Sequence, residues 1–138
     1  MRANNLTLLT DLYELTMMQG YFKNPTDQTV VFDMFYRDNP CGGGFAICAG
    51  LEQVIEYIEN LRFTDEDIEY LRSLSIFEED FLEYLSGFHF TGDIYAIPEG
   101  TVVFPREPLV KVIAPIMEAQ LVETAILNII NHQSLIAT

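Results

Sequence analysis

The chain has 138 residues, 49% of them hydrophobic, and its 21 Asp and Glu against 7 Lys and Arg give a formal net charge of −14. That is enough apolar material for one domain-sized core and too much for a disordered chain. The acidic excess argues against nucleic acid, and a phosphate-rich ligand would find only scattered cations, at Arg2, Lys23, Arg37, Arg62, Arg72, Arg106 and Lys111.

The stretch from Thr10 to Met18 carries a helix-start signature. Thr10 suits the N-cap, and Asp11 and Glu14 complement the positive end of the helix dipole. Leu8, Leu12 and Leu15 form one stripe, Tyr13, Met17 and Tyr21 another, so one stripe can seat the helix while an aromatic ring and a carboxylate face elsewhere. Taken alone, the same residues fit a half-buried packing ring and a capping charge better.

After a turn-rich link at Asn24-Pro25, Thr29 to Arg37 alternates as a strand, with Val30, Phe32, Met34 and Tyr36 on one face. Asn39 to Gly44 breaks it, and Phe45 to Ala49 is a short apolar strand. The glycines at 42–44 precede a strand and no Lys-Ser/Thr follows, so a permissive turn fits better than a phosphate loop. Cys41 and Cys48 flank this turn and read as reduced thiols.

Leu51, Val54, Ile55, Ile58 and Leu61 predict an amphipathic helix. Thr64 caps a second, over acidic residues 65–67, and Phe77, Phe81, Tyr84 and Leu85 line a third. The acidic clusters at 65–67 and 78–80 sit in helix first turns, where carboxylates are favoured without a metal.

Phe88 to Ala96, Thr101 to Phe104 and Leu109 to Ala114 then read as three strands of a meander with proline-marked corners. From Ile116 to Ala137 the chain is apolar on more than one face, as in a helix buried against several elements. It has no C-terminal glycine, basic last turn or proline, which suggests an N-terminal piece or one chain of a split protein. His89, placed in a strand, and His132, in the last helix, lack partners at catalytic spacing and read as structural. There is no basic-then-apolar leader and no run of the roughly 20 apolar residues needed to span a bilayer, so cytoplasm is the default and no membrane partner is expected.

In order and spacing, the segments Leu8-Leu9-Thr10-Asp11-Leu12-Tyr13, Phe32 to Arg37, Asn39-Pro40, Gly42 to Phe45, Ala49-Gly50-Leu51, Ile97 to Gly100, Gln120 to Thr124 and Ser134 to Thr138 resemble the N-terminal region of nicotinate phosphoribosyltransferases. The resemblance implies an α+β fold, an antiparallel sheet with packed helices, leading into the start of an irregular α/β barrel that is missing here. It divides the chain into a substrate-capping and dimerisation domain at 1–114 and a helix at 115–138 leading toward the barrel. The family joins nicotinate to phosphoribosyl pyrophosphate, with ATP hydrolysis coupled through a phosphohistidine, so ATP and Mg2+ are implied for the full enzyme and none for this part alone. It works as a homodimer in which the Thr-Asp-Leu-Tyr helix of one subunit reaches over the barrel of the other. On that pattern Tyr13 stacks on the pyridine ring and Asp11 lies beside it. The catalytic histidine and the phosphate-binding residues lie beyond Thr138, so the resemblance gives this part no catalytic residue and no activity of its own.

A relative acting on nicotinamide or quinolinate shares these features. A carrier module of lipoyl type is a different reading, but it needs a lysine at a hairpin tip, and Lys111 falls mid-strand. An acidic interaction domain without chemistry is the remaining one.

Overall fold

The computed structural model describes residues 5–25 and 27–138, so Arg2 and Thr26 lie outside the described residues. The elements run α1 (Leu12–Lys23), β1 (Thr29–Met34), β2 (Ala46–Ile47), α2 (Leu51–Glu59), α3 (Asp65–Ser73), α4 (Glu79–Ser86), β3 (Asp93–Ala96), β4 (Val102–Val103), β5 (Val110–Pro115) and α5 (Ile116–Ala137). The class is α+β, as expected, with two small antiparallel sheets ordered β1-β5-β3 and β2-β4.

Strand β5 is central because its two edges serve different partners. Thr29 to Met34 pair with Pro115 to Val110 on one side, and Asp93 to Ala96 pair with Ile113 to Val110 on the other. The alternation read in β1 is real, with Val30 and Phe32 half-buried, Met34 buried, and Thr29, Val31 and Asp33 exposed. The strand stops at Met34, short of Arg37.

The expected meander is wrong in two places. Thr101 to Phe104 shrinks to β4, which leaves the larger sheet and pairs with β2. Pro98, Pro105 and Pro108 lack the N–H groups a continuous ladder requires. The arm instead closes on the 46–48 segment, with Cys48 N–H donating to Thr101 O at 2.9 Å and Gly100 N–H to Cys48 O at 2.8 Å. Phe88 to Gly92 is not a strand either, since the Thr91 N–H donates to the Glu118 carboxylate at 2.6 Å and so leaves the ladder. Gly92 crosses so close to β5 that a Cβ there would sit 2.4 Å from the Ala114 Cβ.

Helix α5 is apolar on several sides because it is covered on several sides, by α1, α2, β1, β2 and β5. Ala119, Leu121, Val122, Ala125, Ile126, Ile129 and Ile130 are all buried in one cluster with Leu15, Met18, Val54 and Val112. At each large aliphatic position burial is worth about 1.5–3 kcal/mol relative to exposure. Helix α2 turns differently from its predicted stripe, with Val54 and Tyr57 buried and Ile55 46% exposed. Thr64 does cap α3, accepting from Asp67 N–H at 3.2 Å while the Asp67 carboxylate accepts from Thr64 N–H at 2.8 Å. In α4, Phe81 lies under Phe22, Phe77 and Tyr84, with ring centroids 5.7 to 6.3 Å apart. Cys41 is exposed and Cys48 buried, both as free thiols. No helix among the described residues is long and apolar enough to cross a membrane.

Candidate functional site

The site residues predicted from sequence stand at the start of α1. The N-cap is Asp11, with extended backbone at φ −79° and ψ 144°, and not Thr10. The Thr10 hydroxyl turns instead to the Glu14 carboxylate, which also accepts from Asp11 N–H at 3.1 Å. The first turn is thus closed from three residues on, which is the logic of a capping box.

That closure rotates the helix away from the expected stripe. Glu14, Leu15 and Met18 face inward, whereas Leu12 is 53% exposed. The aromatic stripe does face outward, with Tyr13 at 49% and Met17 at 41% exposure and Tyr21 half-buried. Burial and then the negative charges of Glu123, Glu14 and Asp11 raise the pKa of the Tyr13 phenol.

Glu14 is the residue the sequence disguised. Its side chain is fully buried, yet its Oε1 accepts from the N–H and hydroxyl of Thr124 on α5 at 3.2 and 2.9 Å. Burial raises its pKa, and the hydrogen bonds from Thr10, Thr124 and Asp11 pull the other way. The Thr124 hydroxyl also lies 3.0 Å from Asp11 Oδ2. A buried carboxylate is costly unless donors surround it, and here two helices supply them. The signal available in the sequence was Thr10 and Glu14 four residues apart, but Thr124 lies 110 positions further on.

A shallow polar groove opens beside Asp11, lined by Thr124, Leu127, Asn128 and Asn131. Leu127 also borders an apolar cleft between α5 and the sheet, whose walls include Val31, Val112, Ile126 and Glu123. Tyr13 lines neither depression, and no Lys or Arg lines either.

The other candidates are placed elsewhere. His89 is exposed in the loop before β3 and not in a strand, with Nδ1 3.3 Å from Gly87 O. His132 is exposed on α5. The glycine-rich stretch forms a 3₁₀ turn at Pro40–Gly42 that leads to β2 and opens no α-helix. At the start of α2, Gly50 and Glu52 N–H donate to Glu99 Oε1 at 2.7 and 3.2 Å, so those amides already have their anion. Among the described residues no group of three or more His, Cys, Asp or Glu could hold a metal ion. Lys111 sits within β5, 2.7 Å from Asp33 Oδ1, not at a hairpin tip as a carrier needs.

Residues 8–131 match the family model described as the nicotinate phosphoribosyltransferase N-terminal domain. The chain belongs to this family. A nicotinate phosphoribosyltransferase of Mycobacterium tuberculosis is 51% identical over 131 residues, covering 95% of this chain and 28% of the relative. The Bacillus subtilis enzyme of that name is 48% identical over 138 residues, covering 99% and 28%. The crystal structure of human nicotinic acid phosphoribosyltransferase superposes with a TM-score of 0.84 at 35% identity, over 94% of this chain and 27% of that one. This nicotinate phosphoribosyltransferase N-terminal domain therefore spans 28% of the length of the first two of these relatives, and Tyr13, Asp11, Glu14 and Thr124 all fall inside the matched region.

Proposed function

We propose that this domain caps the pyridine site of a nicotinate phosphoribosyltransferase, an enzyme of NAD synthesis that forms nicotinate mononucleotide and pyrophosphate from nicotinate and phosphoribosyl pyrophosphate. The supporting observation is the outward-facing Tyr13, 49% exposed beside Asp11 at the tip of α1, in a chain of this family. An electron-poor pyridine ring gains about 0.5–1.5 kcal/mol from offset stacking on a phenol, beyond burial.

The surroundings set the orientation. Asp11, Glu14 and Glu123 all raise the pKa of the Tyr13 phenol, so the ring sits in a negative field. Like charges repel the substrate carboxylate from that side. The ring stacks with its carboxylate turned away from α1, toward cations that the rest of the enzyme supplies. In a homodimer, α1 of one subunit covers the barrel of the other.

On this reading ATP and Mg2+ are held by the rest of the enzyme. The described residues offer no metal-holding cluster. Three of the seven basic side chains are committed to carboxylates, Lys23 to Glu78, Arg72 to Glu69 and Glu79, and Lys111 to Asp33. The coupling of ATP hydrolysis, the diphosphate contacts and the catalytic histidine belong to the remaining length of the enzyme, and neither His89 nor His132 takes that role. The cytoplasm is its compartment.

Product analysis by liquid chromatography and mass spectrometry tests the reading. The complete enzyme is expected to make nicotinate mononucleotide from nicotinate and phosphoribosyl pyrophosphate, and the 138-residue chain to make none. Preference for nicotinamide or quinolinate, or turnover by the isolated chain, would overturn it.

A further inference from the structure

We infer that Thr124 and Glu14 are positioning residues for Asp11: the Thr124 hydroxyl holds the Asp11 carboxylate at the mouth of the site, and Glu14 holds Thr124. This rests on the pyridine-site reading above and extends it to residues that touch no substrate.

The geometry is a three-member chain, with Asp11 Oδ2 3.0 Å from Thr124 Oγ1 and Thr124 Oγ1 2.9 Å from Glu14 Oε1. A hydroxyl has one proton, so Thr124 cannot donate to both carboxylates at once. Glu14 Oε1 already accepts the Thr124 N–H at 3.2 Å and its Oε2 the Asp11 N–H at 3.1 Å, so the hydroxyl proton can turn to Asp11 Oδ2 without leaving Glu14 unpaired. Full burial of Glu14 makes those donors necessary, because a buried carboxylate without them is costly. Asp11 is exposed, where a ligand can meet it.

Stability alone does not require this design. A buried ionisable group replaced by well-packed apolar side chains often leaves a protein equally stable. What the carboxylate adds is direction. Its two oxygens accept backbone N–H groups from two helices, Asp11 of α1 at 3.1 Å and Thr124 of α5 at 3.2 Å. That fixes where the first turn of α1 leaves the surface, and with it Asp11 and Tyr13. Glu14 and Thr124 are 110 positions apart, so only the packed fold brings the chain together.

A double-mutant cycle in the complete enzyme tests it, reading nicotinate KM, kcat and melting temperature. Thr124→Val, which keeps the shape and loses the hydroxyl, should raise nicotinate KM about ten- to a hundredfold with kcat little changed, the range expected for losing a hydrogen bond to a charged group. Thr124→Ser should restore it. Asp11→Asn should raise KM alone, and adding Thr124→Val to it should raise KM no further, because the two act as one unit. Glu14→Gln offers one acceptor oxygen in place of two and should mimic Thr124→Val. A raised KM for Asp11→Asn with wild-type KM for both Thr124→Val and Glu14→Gln would overturn the positioning role and leave the site standing. Additive effects in the double mutant would also overturn it. Wild-type KM for Asp11→Asn would instead remove Asp11 from the site, and the positioning role with it.

Discussion

Replacing Tyr13 by alanine in the complete enzyme tests the proposed stacking face directly. The side chain is 49% exposed, so about half of its surface is available to a ligand. Aromatic residues bury roughly 150–250 Å² in full, which leaves about 100 Å² open here. A flat ring covers one face of that, about 50 Å², worth near 1.2 kcal/mol at about 25 cal/mol per Å². Stacking adds about 0.5–1.5 kcal/mol, for a total of about 2 kcal/mol. Nicotinate KM should therefore rise roughly thirtyfold, since each 1.4 kcal/mol is a factor of ten. The contact is made equally in ground and transition states, so kcat should change little. Tyr13→Phe keeps the ring and should stay within about threefold of wild type. The variant should fold normally, because an exposed substitution costs at most about 0.5 kcal/mol. Initial-rate kinetics beside a thermal melt separates these outcomes. An unchanged nicotinate KM in a folded Tyr13→Ala enzyme would refute the stacking argument.

Gly92→Ala should destabilise the domain by about 1–3 kcal/mol in a denaturant titration, since overpacking against backbone cannot relax cheaply. The new Cβ would lie 2.4 Å from Ala114 Cβ and 2.7 Å from Ile113 O, so wild-type stability would show that β5 yields at that crossing. For Glu14, burial raises the folded pKa above the ordinary 4.5. The native state then binds more protons than the unfolded one between those values, so this contribution is full below 4.5 and is lost as pH rises through the folded pKa. The groups facing it are Asp11 and Tyr13 on α1, Tyr57 on α2 and Glu123 on α5. Unfolding free energies of wild type minus Glu14→Gln, measured across that window, should fall with rising pH, and a flat difference would mean Glu14 titrates as an exposed acid does.

The outward face of α1 that carries Tyr13 was legible in advance because it is local. Tyr13 and Asp11 were singled out by the family resemblance, and the outward face of the Tyr13–Met17 stripe follows from helical spacing. The cap was misplaced by one residue, from Asp11 to Thr10, because both are good capping types and only the observed backbone separates them. The inward face was misjudged at Leu12 and Glu14. Hydrophobic periodicity assumes that a carboxylate points to water, and here donors from α5 overrule that.

The sequence by itself determined what depends on near neighbours. It set the helix at 116–137, buried on several sides, the alternation of β1, the Thr64 cap, the lack of a basic patch, and the motif order that marks the family. Tertiary structure decided what depends on distant partners. It moved β4 out of the meander to β2, took the Thr91 N–H to Glu118, and buried Glu14 against Thr124. Each of these satisfies a polar group with a donor or acceptor far away in the chain, and local pattern carries no record of which distant group will arrive.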